Sequence, residues 1–283
     1  MEFGWNAEQD SFREEVKRFV AEVKTPELER ELDAADMEMA TRGPLMKRIG
    51  NEVDRRGWLK MCWPVELGGE GKSLWLQYIL GEELQKAGIP HRGVPWMAPA
   101  IEKFGSDEQK QRYLPGLWSG DMTCALGYSE PNAGTDLASL ETRATRDGDD
   151  WVINGQKIWT SGAHTSSHVW LAARTDPKAP KHRGISMFIV PLDSPGITVR
   201  PIWTMWEYRT NEVFFEEVRV PSYGLIGEEG RGWYIAANAL DVERVGLGGG
   251  MQLRKNFDKF VDYLKEKRPD RLADRANRLR LAE

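Results

Sequence analysis

Hydrophobic side chains recur at two spacings along the chain, and the changes of spacing divide it into three regions. Residues 1–121 show the helical spacing, and one stripe of it is formed by Phe12, Val16, Phe19, Val20 and Val23. From about Met122 to Gly224 the pattern alternates with a period of two, which is typical of strands, and the helical spacing returns from Gly230. This order predicts a multidomain α+β protein: an N-terminal helical domain, a middle antiparallel β barrel or sandwich, and an incomplete C-terminal helical bundle.

Local signals in the first region predict where its helices begin and end. Asn6 and Gln9 have the spacing of a capping box, in which each side chain accepts from the backbone N–H of the other residue. Ser73 is a suitable N-cap for the helix that follows it, and Gly88 is placed to end that helix in a left-handed conformation. In SDEQKQRYLPGLWSG, Pro115 predicts a break, because proline lacks the backbone N–H that a helix interior needs.

The middle region contains successive short strands with no helical pattern between them. DDWVINGQKIW predicts a strand pair around Asn154–Gly155, since this dipeptide tolerates the positive φ angles of a type I′ turn. Further strands are predicted in HVWLAARTD, GISMFIVPLD, GITVRPIW and NEVFFEEVRVP. Strands that follow one another in this way favour an antiparallel sandwich or barrel.

The last region predicts two helices and the beginning of a third. They correspond to GWYIAANALDVERVGLGG, MQLRKNFDKFVDYLKEK and, after the interruption at Pro269, DRLADRANRLRLAE. Apolar positions in the first two that need cover are Ile235, Leu240, Leu247, Phe257, Phe260, Val261 and Leu264. Two helices and a short third do not close a bundle, so we expect covering helices from another chain or from a longer protein of which this chain is a piece.

Composition narrows the classes of protein that need to be considered. Of the 283 residues, 40% are hydrophobic and 29% are charged, which is the balance of an ordinary globular protein. The net charge of −5 argues against a nucleic-acid-binding protein, and two cysteines exclude a disulfide framework and a cysteine-based metal site. No apolar run reaches the ~18 residues of a membrane span, and the acidic start does not resemble a secretory signal. We therefore expect a cytoplasmic protein that binds no metal.

Two neighbouring runs in the middle region contain the candidate chemistry. LGYSEPNAGTDLASLETRA is rich in small residues and hydrogen-bond donors, and such a loop can lay backbone amides against a phosphate. An ordinary surface turn is the alternative reading of the same residues. Trp159 and Ser161 follow the predicted turn, where an aromatic face and a hydroxyl could meet a flat ring.

In their order and spacing, the two runs resemble the signature of the acyl-CoA dehydrogenases. SEPNAGTD is similar to the family's Ser/Thr-Glu-Pro-x-Ala-Gly-Ser/Thr-Asp run, and NGQKIWTS to its Asn-Gly-x-Lys-x-Trp-x-Thr/Ser run. WPVELGGEG resembles the Trp-Pro-x-x-x-Gly-Gly motif of the N-terminal domain, and TNEVFFEEVRVP resembles the last β segment. The resemblance extends over the whole chain. It implies domains at 1–121 and 122–229, with 230–283 beginning a C-terminal bundle.

The resemblance also implies roles for individual residues around FAD. The backbone from Leu126 to Ser129 and the Ser129 hydroxyl are expected to face the pyrimidine side of the flavin, and Thr135 to lie near its pyrophosphate and the thioester arm. Trp159 is expected to pack on the isoalloxazine ring, with Ser161 near N5. The implied cofactor-binding residues are Leu126, Gly127, Tyr128, Ser129, Thr135, Trp159, Thr160 and Ser161.

The resemblance places the catalytic base on the first helix after the β region. ALDVERVGLGG matches the Leu-Asp-x-Glu-Arg context of a minority of the family, which makes Glu243 the candidate base and puts Asp241 and Arg244, with Thr135, near the CoA substrate. A solvated charge cluster, with Asp241 and Arg244 paired along the helix, is the alternative.

The implied reaction is α,β-desaturation of an acyl-CoA thioester, a step of lipid metabolism. Glu243 would remove the α-proton, the β-hydride would pass to flavin N5, and an electron-transfer flavoprotein would be the next acceptor of electrons. YLKEKRPDRLADRANRLRLAE lacks the family's usual Arg-x-x-Phe-Gly segment, and here it resembles bacterial members of which some are heteromers. A homo- or hetero-oligomer is expected. The alternatives are a partner subunit of a heteromeric dehydrogenase and a flavin oxidase or monooxygenase of the same fold.

Overall fold

The computed structural model describes residues 4–34, 43–89, 95–205, 208–246 and 250–282. The chain divides into two compact units, which we name the helical unit (Met1–Gly93 and Gly246–Glu283) and the sheet unit (Val94–Val245). No helix formed by the described residues is long and apolar enough to cross a membrane.

Helices and strands follow one another in the order that the sequence predicts. The helices are α1 (Ala7–Val23), α2 (Pro26–Ala34), α3 (Pro44–Arg55), α4 (Leu74–Lys86), α5 (Ala98–Phe104), α6 (Asp107–Ser119), α7 (Gly232–Gly246), α8 (Gly250–Lys267), α9 (Pro269–Ala273) and α10 (Arg275–Ala282). The strands are β1 (Cys124–Gly127), β2 (Arg143–Asp147), β3 (Asp150–Lys157), β4 (His168–Arg174), β5 (Ile185–Pro191), β6 (Ile197–Trp203), β7 (Arg209–Val220) and β8 (Leu225–Ile226).

The helix ends of the helical unit confirm the local signals. Asn6 and Gln9 form the reciprocal capping box of α1, with both hydrogen bonds at 2.9 Å. Ser73 caps α4 by accepting from the backbone N–H of Trp75 at 3.3 Å, and Gly88 follows that helix with a φ of 75°. Because these caps satisfy backbone groups that the helix leaves unpaired, they set its length independently of the core.

The core of the helical unit is formed by one face of each of its first four helices, together with residues of the segments that follow α3 and α4. The buried residues are Val16, Phe19, Leu28, Met46, Ile49, Val53, Trp58, Met61, Leu76, Ile79, Leu80, Leu84 and Ile89. The WPVELGGEG run, which precedes α4 in the chain, closes on itself, and Gly71 N–H donates to the Trp63 carbonyl at 2.6 Å. A β-carbon at Gly69 would overlap the Trp63 side chain, so this turn requires glycine at that position.

Pro115 does not break α6, which corrects the prediction made from its sequence. The helix continues from Asp107 to Ser119 and ends at Gly120, whose φ is 78°. Proline in a helix interior removes one hydrogen bond and costs about 3 kcal/mol in isolation. Burial of Leu114, Leu117 and Trp118 on the same helix offsets that cost, because tertiary packing outweighs local propensity.

A single open sheet forms the centre of the sheet unit. Its strand order is β6-β7-β3-β2-β4-β5-β8, with β1 also paired to β4. The all-β middle region is thereby confirmed, but the sheet is not a closed barrel, and β1 and β2 run parallel to β4 while the other pairs are antiparallel. The alternation of side chains shows that strands exist but not which of them pair, so the parallel pairings were not predictable from it.

Asn154–Gly155 lies inside a continuous strand rather than at a hairpin turn, which corrects a second prediction. β3 runs through both residues, and the turn between β2 and β3 lies instead at Gly148, whose φ is 64°. The register between β3 and β7 shifts between Ile153 and Gly155, which is the signature of a β-bulge. A dipeptide that tolerates positive φ suits a bulge as well as a turn, so the composition alone does not distinguish them.

The helices after the sheet appear where they are expected, with the last predicted segment divided into α9 and α10. Ile235 on α7 and Leu264 on α8 are buried. In contrast, α8 exposes a row of large apolar side chains: Leu253, Phe257, Phe260 and Tyr263. Leu247 lies outside the described residues.

Candidate functional site

The two motif runs of the middle region are direct neighbours in the structure. The backbone N–H of Ile158, in the NGQKIWTS run, donates to the carbonyl of Ser129, in the SEPNAGTD run, at 2.9 Å. Lys157 at the end of β3 adds a second link, because its ammonium group donates to the Tyr128 carbonyl at 3.0 Å. The fold therefore joins the segment after β1 to the segment after β3.

A buried ion pair supports this junction from inside the protein. Lys157 Nζ lies 2.7 Å from Glu130 Oε1, and the Lys157 side chain is 0% exposed. Glu130 also accepts the backbone N–H groups of Glu141 at 2.6 Å and Thr142 at 2.9 Å. Burial lowers the pKa of Lys157 to about 8 against the opposing effect of the Glu130 carboxylate, while Lys157 holds the pKa of Glu130 below its ordinary value despite burial.

Trp159 stands out from its surroundings in both exposure and backbone conformation. Its side chain is 59% exposed, and its φ is 59°, in the left-handed region that bulky residues rarely adopt. Such a conformation costs about 1–3 kcal/mol and persists only where the surrounding structure imposes it. Strain of this kind is concentrated at functional sites, so Trp159 is a candidate for direct contact with a ligand.

The strained loop is anchored to the beginning of β7. Thr160 N–H donates to the Asn211 carbonyl at 2.9 Å, and the buried Asn211 side chain donates back to the Thr160 carbonyl at 2.9 Å. The Ser161 hydroxyl donates to Thr210 Oγ1 at 3.2 Å. The residues on both sides of Trp159 are thus held by the sheet, and the indole ring is directed outward.

The SEPNAGTD run ends in an exposed loop that contains Thr135. The next residue, Asp136, forms an ion pair with Lys181 at 2.8 Å. The guanidinium of Arg174 holds the adjoining segment by donating to the carbonyls of Ala138 at 2.7 Å and Leu140 at 3.0 Å. An open groove of about 550 Å³ lies beside this loop and is lined by Ala138, Ser139, Leu140, Glu141, Arg143, Arg174, Pro177, Ala179 and Lys181.

The Leu126–Ser129 segment was predicted to bind the cofactor, and within it Leu126 and Gly127 lie in β1 and pair with β4. Gly127 is packed tightly, since a β-carbon there would come within 2.6 Å of Val169 Cγ2. Tyr128 is buried, and its hydroxyl accepts from Trp170 Nε1 at 3.0 Å, whereas Ser129 is half-buried. This segment is therefore a rigid edge of the sheet rather than a loose loop.

The residues predicted to act on the substrate lie on α7, which the sheet unit also contains. Asp241 is exposed there. Glu243 and Arg244 fall within the same helix, but their side chains lie outside the described part of the structure. Their roles as base and CoA contact remain predictions.

The side chains around Trp159 fit the requirements of a flavin ring. A flat, uncharged ring needs an aromatic face to pack on and hydroxyl groups at its polar edge. Trp159 supplies an exposed indole, Ser161 an exposed hydroxyl and Ser129 a half-buried one. Within the described residues, the buried Thr160 Oγ1 has no hydrogen-bond partner, so the loop also holds unused hydrogen-bonding capacity.

Sequence reasoning did not identify the residues that hold this arrangement together. Glu130 and Lys157 were visible in principle, because they are charged positions inside the two motif runs. Asn211 and Arg174 carry no such signal, since their partners lie 51 and 34–36 residues away in the chain. Only the folded sheet brings them to the loops that they support.

Sequence profiles and known proteins place most of the chain within one family. The profile described as "Acyl-CoA dehydrogenase, N-terminal domain" matches residues 6–121, and "Acyl-CoA dehydrogenase, middle domain" matches residues 125–218. Acyl-CoA dehydrogenase FadE26 of Mycobacterium tuberculosis is 41% identical over 252 residues, which are 87% of this chain and 63% of that protein. The chain thus spans somewhat less than two thirds of the length of this relative.

Solved structures extend the likeness to the whole described fold. The protein described as "Tcur3481-Tcur3483 steroid ACAD" superposes with a TM-score of 0.86 at 38% identity, covering 100% of this chain and 73% of that chain. The ChsE4-ChsE5 complex from Mycobacterium tuberculosis gives a TM-score of 0.71 at 41% identity, covering 86% and 61%. On the combined grounds of motifs, fold and identity, the chain belongs to the acyl-CoA dehydrogenase family.

Proposed function

We propose that this chain forms the flavin-binding part of an acyl-CoA dehydrogenase, which converts an acyl-CoA thioester into the trans-2-enoyl-CoA. The observation that carries the proposal is the junction of the two motif runs, where the strained, exposed Trp159 follows Ile158, whose backbone N–H donates to the Ser129 carbonyl. When bound there, FAD would supply the acceptor for the β-hydride.

The residues of this chain would bind and orient the ring rather than react with it. The Trp159 indole would pack against the ring plane, and the hydroxyls of Ser129 and Ser161 would hydrogen-bond to its edge. Thr135 and the groove beside Lys181 would accept the charged phosphates, because cations and loop backbone groups favour anions. These contacts would hold the ring beside the sheet, which the buried core supports.

Glu243 is proposed as the base that removes the α-proton. The α-proton of a thioester is weakly acidic, so the negative charge that develops on the carbonyl oxygen must be stabilised by hydrogen bonds. A carboxylate that is shielded from water has a raised pKa and is a stronger base. Asp241 and Arg244, on the same helix, are proposed to contact the CoA portion.

The first test is FAD binding by the purified chain. We expect titration of apoprotein with FAD to quench tryptophan emission and to shift the flavin absorption bands. The titration should reach saturation at one FAD per site. Anaerobic addition of an acyl-CoA should then bleach the flavin absorption and yield the enoyl-CoA product. A panel of straight-chain, branched and steroid-derived acyl-CoA thioesters would define the acyl group, since one similar structure is described as a steroid dehydrogenase.

A partner subunit of a heteromeric dehydrogenase is the second candidate function. It is favoured by the two similar structures whose descriptions name two components. In this case the chain alone would not retain FAD, and co-expression with a second family member would restore binding.

Rapid oxygen consumption by the reduced protein would instead identify a flavin oxidase or monooxygenase. Efficient reoxidation by an electron-transfer flavoprotein would support the dehydrogenase.

A further inference from the structure

Two buried charged residues, one in each motif run, join the runs to each other. Lys157 lies immediately before Ile158, while Tyr128 and Glu130 lie on either side of Ser129. The Lys157 ammonium contacts the Tyr128 carbonyl at 3.0 Å and the Glu130 carboxylate at 2.7 Å. With the hydrogen bond from Ile158 N–H to Ser129, the two segments are joined at three consecutive residues of the first run.

A lysine suits this position because an ammonium group has three donors on a long stem. Ion-pair stability alone does not explain the arrangement. Removing two ions from water is costly, and replacing a buried pair with uncharged side chains of similar volume is often neutral or stabilising. What uncharged replacements would lose is the simultaneous link to the carbonyl before Ser129 and the carboxylate after it.

We propose that Lys157 and Glu130 are positioning residues that fix the segment carrying Ser129 relative to the loop carrying Trp159. Glu130 extends the link further, since its carboxylate also accepts the backbone N–H groups of Glu141 and Thr142, immediately before β2. The inference rests on the proposed flavin function of this site. It assigns the pair no contact with the flavin or the substrate.

The test compares the wild-type chain with Lys157→Met, Glu130→Gln and the double variant, which keep the approximate size of each side chain. A matched control is the double variant Asp147→Asn/Arg219→Met, because that pair also joins two strands of the sheet but is exposed. FAD affinity is measured by titration, and the folded fraction of the same samples by circular dichroism. Amide hydrogen exchange is followed at Ile158 and in the β4–β5 pair.

We expect the double variant at positions 130 and 157 to fold and to bind FAD at least ~10-fold more weakly than wild type, a loss of about 1.4 kcal/mol. Exchange at Ile158 should accelerate at least ~10-fold, while the β4–β5 amides keep their protection. The exposed control should change neither quantity. Either single variant should lose at least as much FAD affinity as the double, since each leaves one buried group unpaired.

Two results would overturn the inference. One is FAD affinity and Ile158 exchange within about twofold of wild type in the double variant. The other is a loss of protection throughout the sheet in parallel with the loss of FAD, which would assign the pair a general structural role. If wild-type protein binds no FAD under any condition, the proposed function fails, but the exchange at Ile158 still decides the positioning role.

Discussion

Trp159 is unusual in two respects: its ring is exposed, and its backbone φ is held in the left-handed region. We expect Trp159→Ala to weaken FAD binding by about 0.5–1.5 kcal/mol beyond the effect of lost contact area, since a planar contact is removed. Titration of apoprotein with FAD would measure this. Trp203→Ala is a matched control, because Trp203 is 66% exposed and lies on the regular strand β6. Equal FAD affinity in the Trp159 variant and wild type would refute the ring placement.

The same position allows the strain to be measured apart from the ligand. Trp159→Gly should be more stable than Trp159→Ala by roughly 1–2 kcal/mol, since glycine adopts the left-handed conformation without the steric cost that alanine carries. Urea unfolding of the two apoproteins gives the difference. If the Trp159→Ala variant is the more stable of the two, the loop returns to an ordinary φ when the indole is removed. The left-handed conformation then depends on the tryptophan side chain.

Glu243 is the residue on which the proposed chemistry depends most directly. We expect Glu243→Gln to retain the fold and FAD but to lower acyl-CoA desaturation by ~10²–10⁴-fold, because the amide cannot accept the α-proton. Enoyl-CoA formation under saturating substrate is the measurement. Glu229→Gln is the control, since Glu229 is an exposed carboxylate shortly before α7. Near-normal turnover in the Glu243 variant would place the base elsewhere.

Lys157 should leave a signature in the pH dependence of stability. In the folded protein burial lowers its pKa from the ordinary 10.5 to about 8. Between these values the unfolded chain holds a proton that the folded protein has released, so the free energy of unfolding rises with pH in this window. Relative to the Glu130→Gln/Lys157→Met variant, wild type should therefore gain stability from pH 8 to 10, by at most ~1.4 kcal/mol per pH unit.

Thermal unfolding of both proteins at several pH values between 8 and 10 would measure the difference. All other titratable groups are the same in the two proteins, so the comparison isolates the contribution of the substituted pair. Parallel curves would show that Lys157 keeps an ordinary pKa and that its ammonium is better solvated than its position indicates.

At the scale of elements, the bulge in β3 is a feature that substitution would disturb. Asn154 and Glu217 stabilise it from opposite strands: Asn154 Nδ2 donates to Glu217 Oε1 at 2.6 Å, and Glu217 N–H donates to Asn154 Oδ1 at 2.9 Å. Gly155 has a φ of 150°, and a β-carbon there would lie 2.7 Å from Thr142 Cα. The bulge thus brings β3 so close to the segment before β2 that only glycine fits.

We expect Gly155→Ala to lower the free energy of unfolding by about 1–3 kcal/mol, because the added methyl group meets backbone that cannot move freely. Gly134→Ala is the control in the neighbouring motif, since nothing lies within 4 Å of a β-carbon at that position. Urea unfolding would compare them. An unchanged midpoint for Gly155→Ala would mean that the bulge shifts its register at little cost.

The elements also show how far sequence reasoning reaches. Helix ends such as the Asn6–Gln9 box and Gly88 were predicted because the interactions that form them are local in the chain. The Asn154–Gly155 bulge and the continuity of α6 through Pro115 were not, because both depend on packing against distant segments. At the candidate site, Trp159 was identified from its motif, whereas Asn211 was not, since its role depends on a partner in another strand.

At the scale of the whole molecule, the row of apolar side chains on α8 indicates an interface. Leu253 is 72% exposed and Phe260 is 50% exposed, and contiguous apolar patches of this kind usually mark contact surfaces. We expect the chain to associate at micromolar concentration, with a symmetric dimer or a dimer of dimers as the simplest closed assembly.

Sedimentation of the wild-type chain and of Phe260→Glu tests this expectation. The variant should lower the average mass, because a buried, unpaired carboxylate is unfavourable at an interface. Lys259→Glu introduces the same charge at the adjacent exposed position and should have a smaller effect. A folded wild-type monomer that holds FAD would contradict both the association and the need for a partner.

The anchoring of the Trp159 loop has a consequence for the order in which the protein matures. The loop is held by Asn211, which the ribosome adds 51 residues after Thr160. Contacts between residues so far apart form late, because the intervening chain must first be closed into a loop. While β4, β5 and β6 are being synthesised, the indole has no strand to fix it in the left-handed conformation. We therefore expect a nascent chain stalled before β7 to form the helical unit's caps but to be unable to capture FAD, so that cofactor loading follows completion of the sheet.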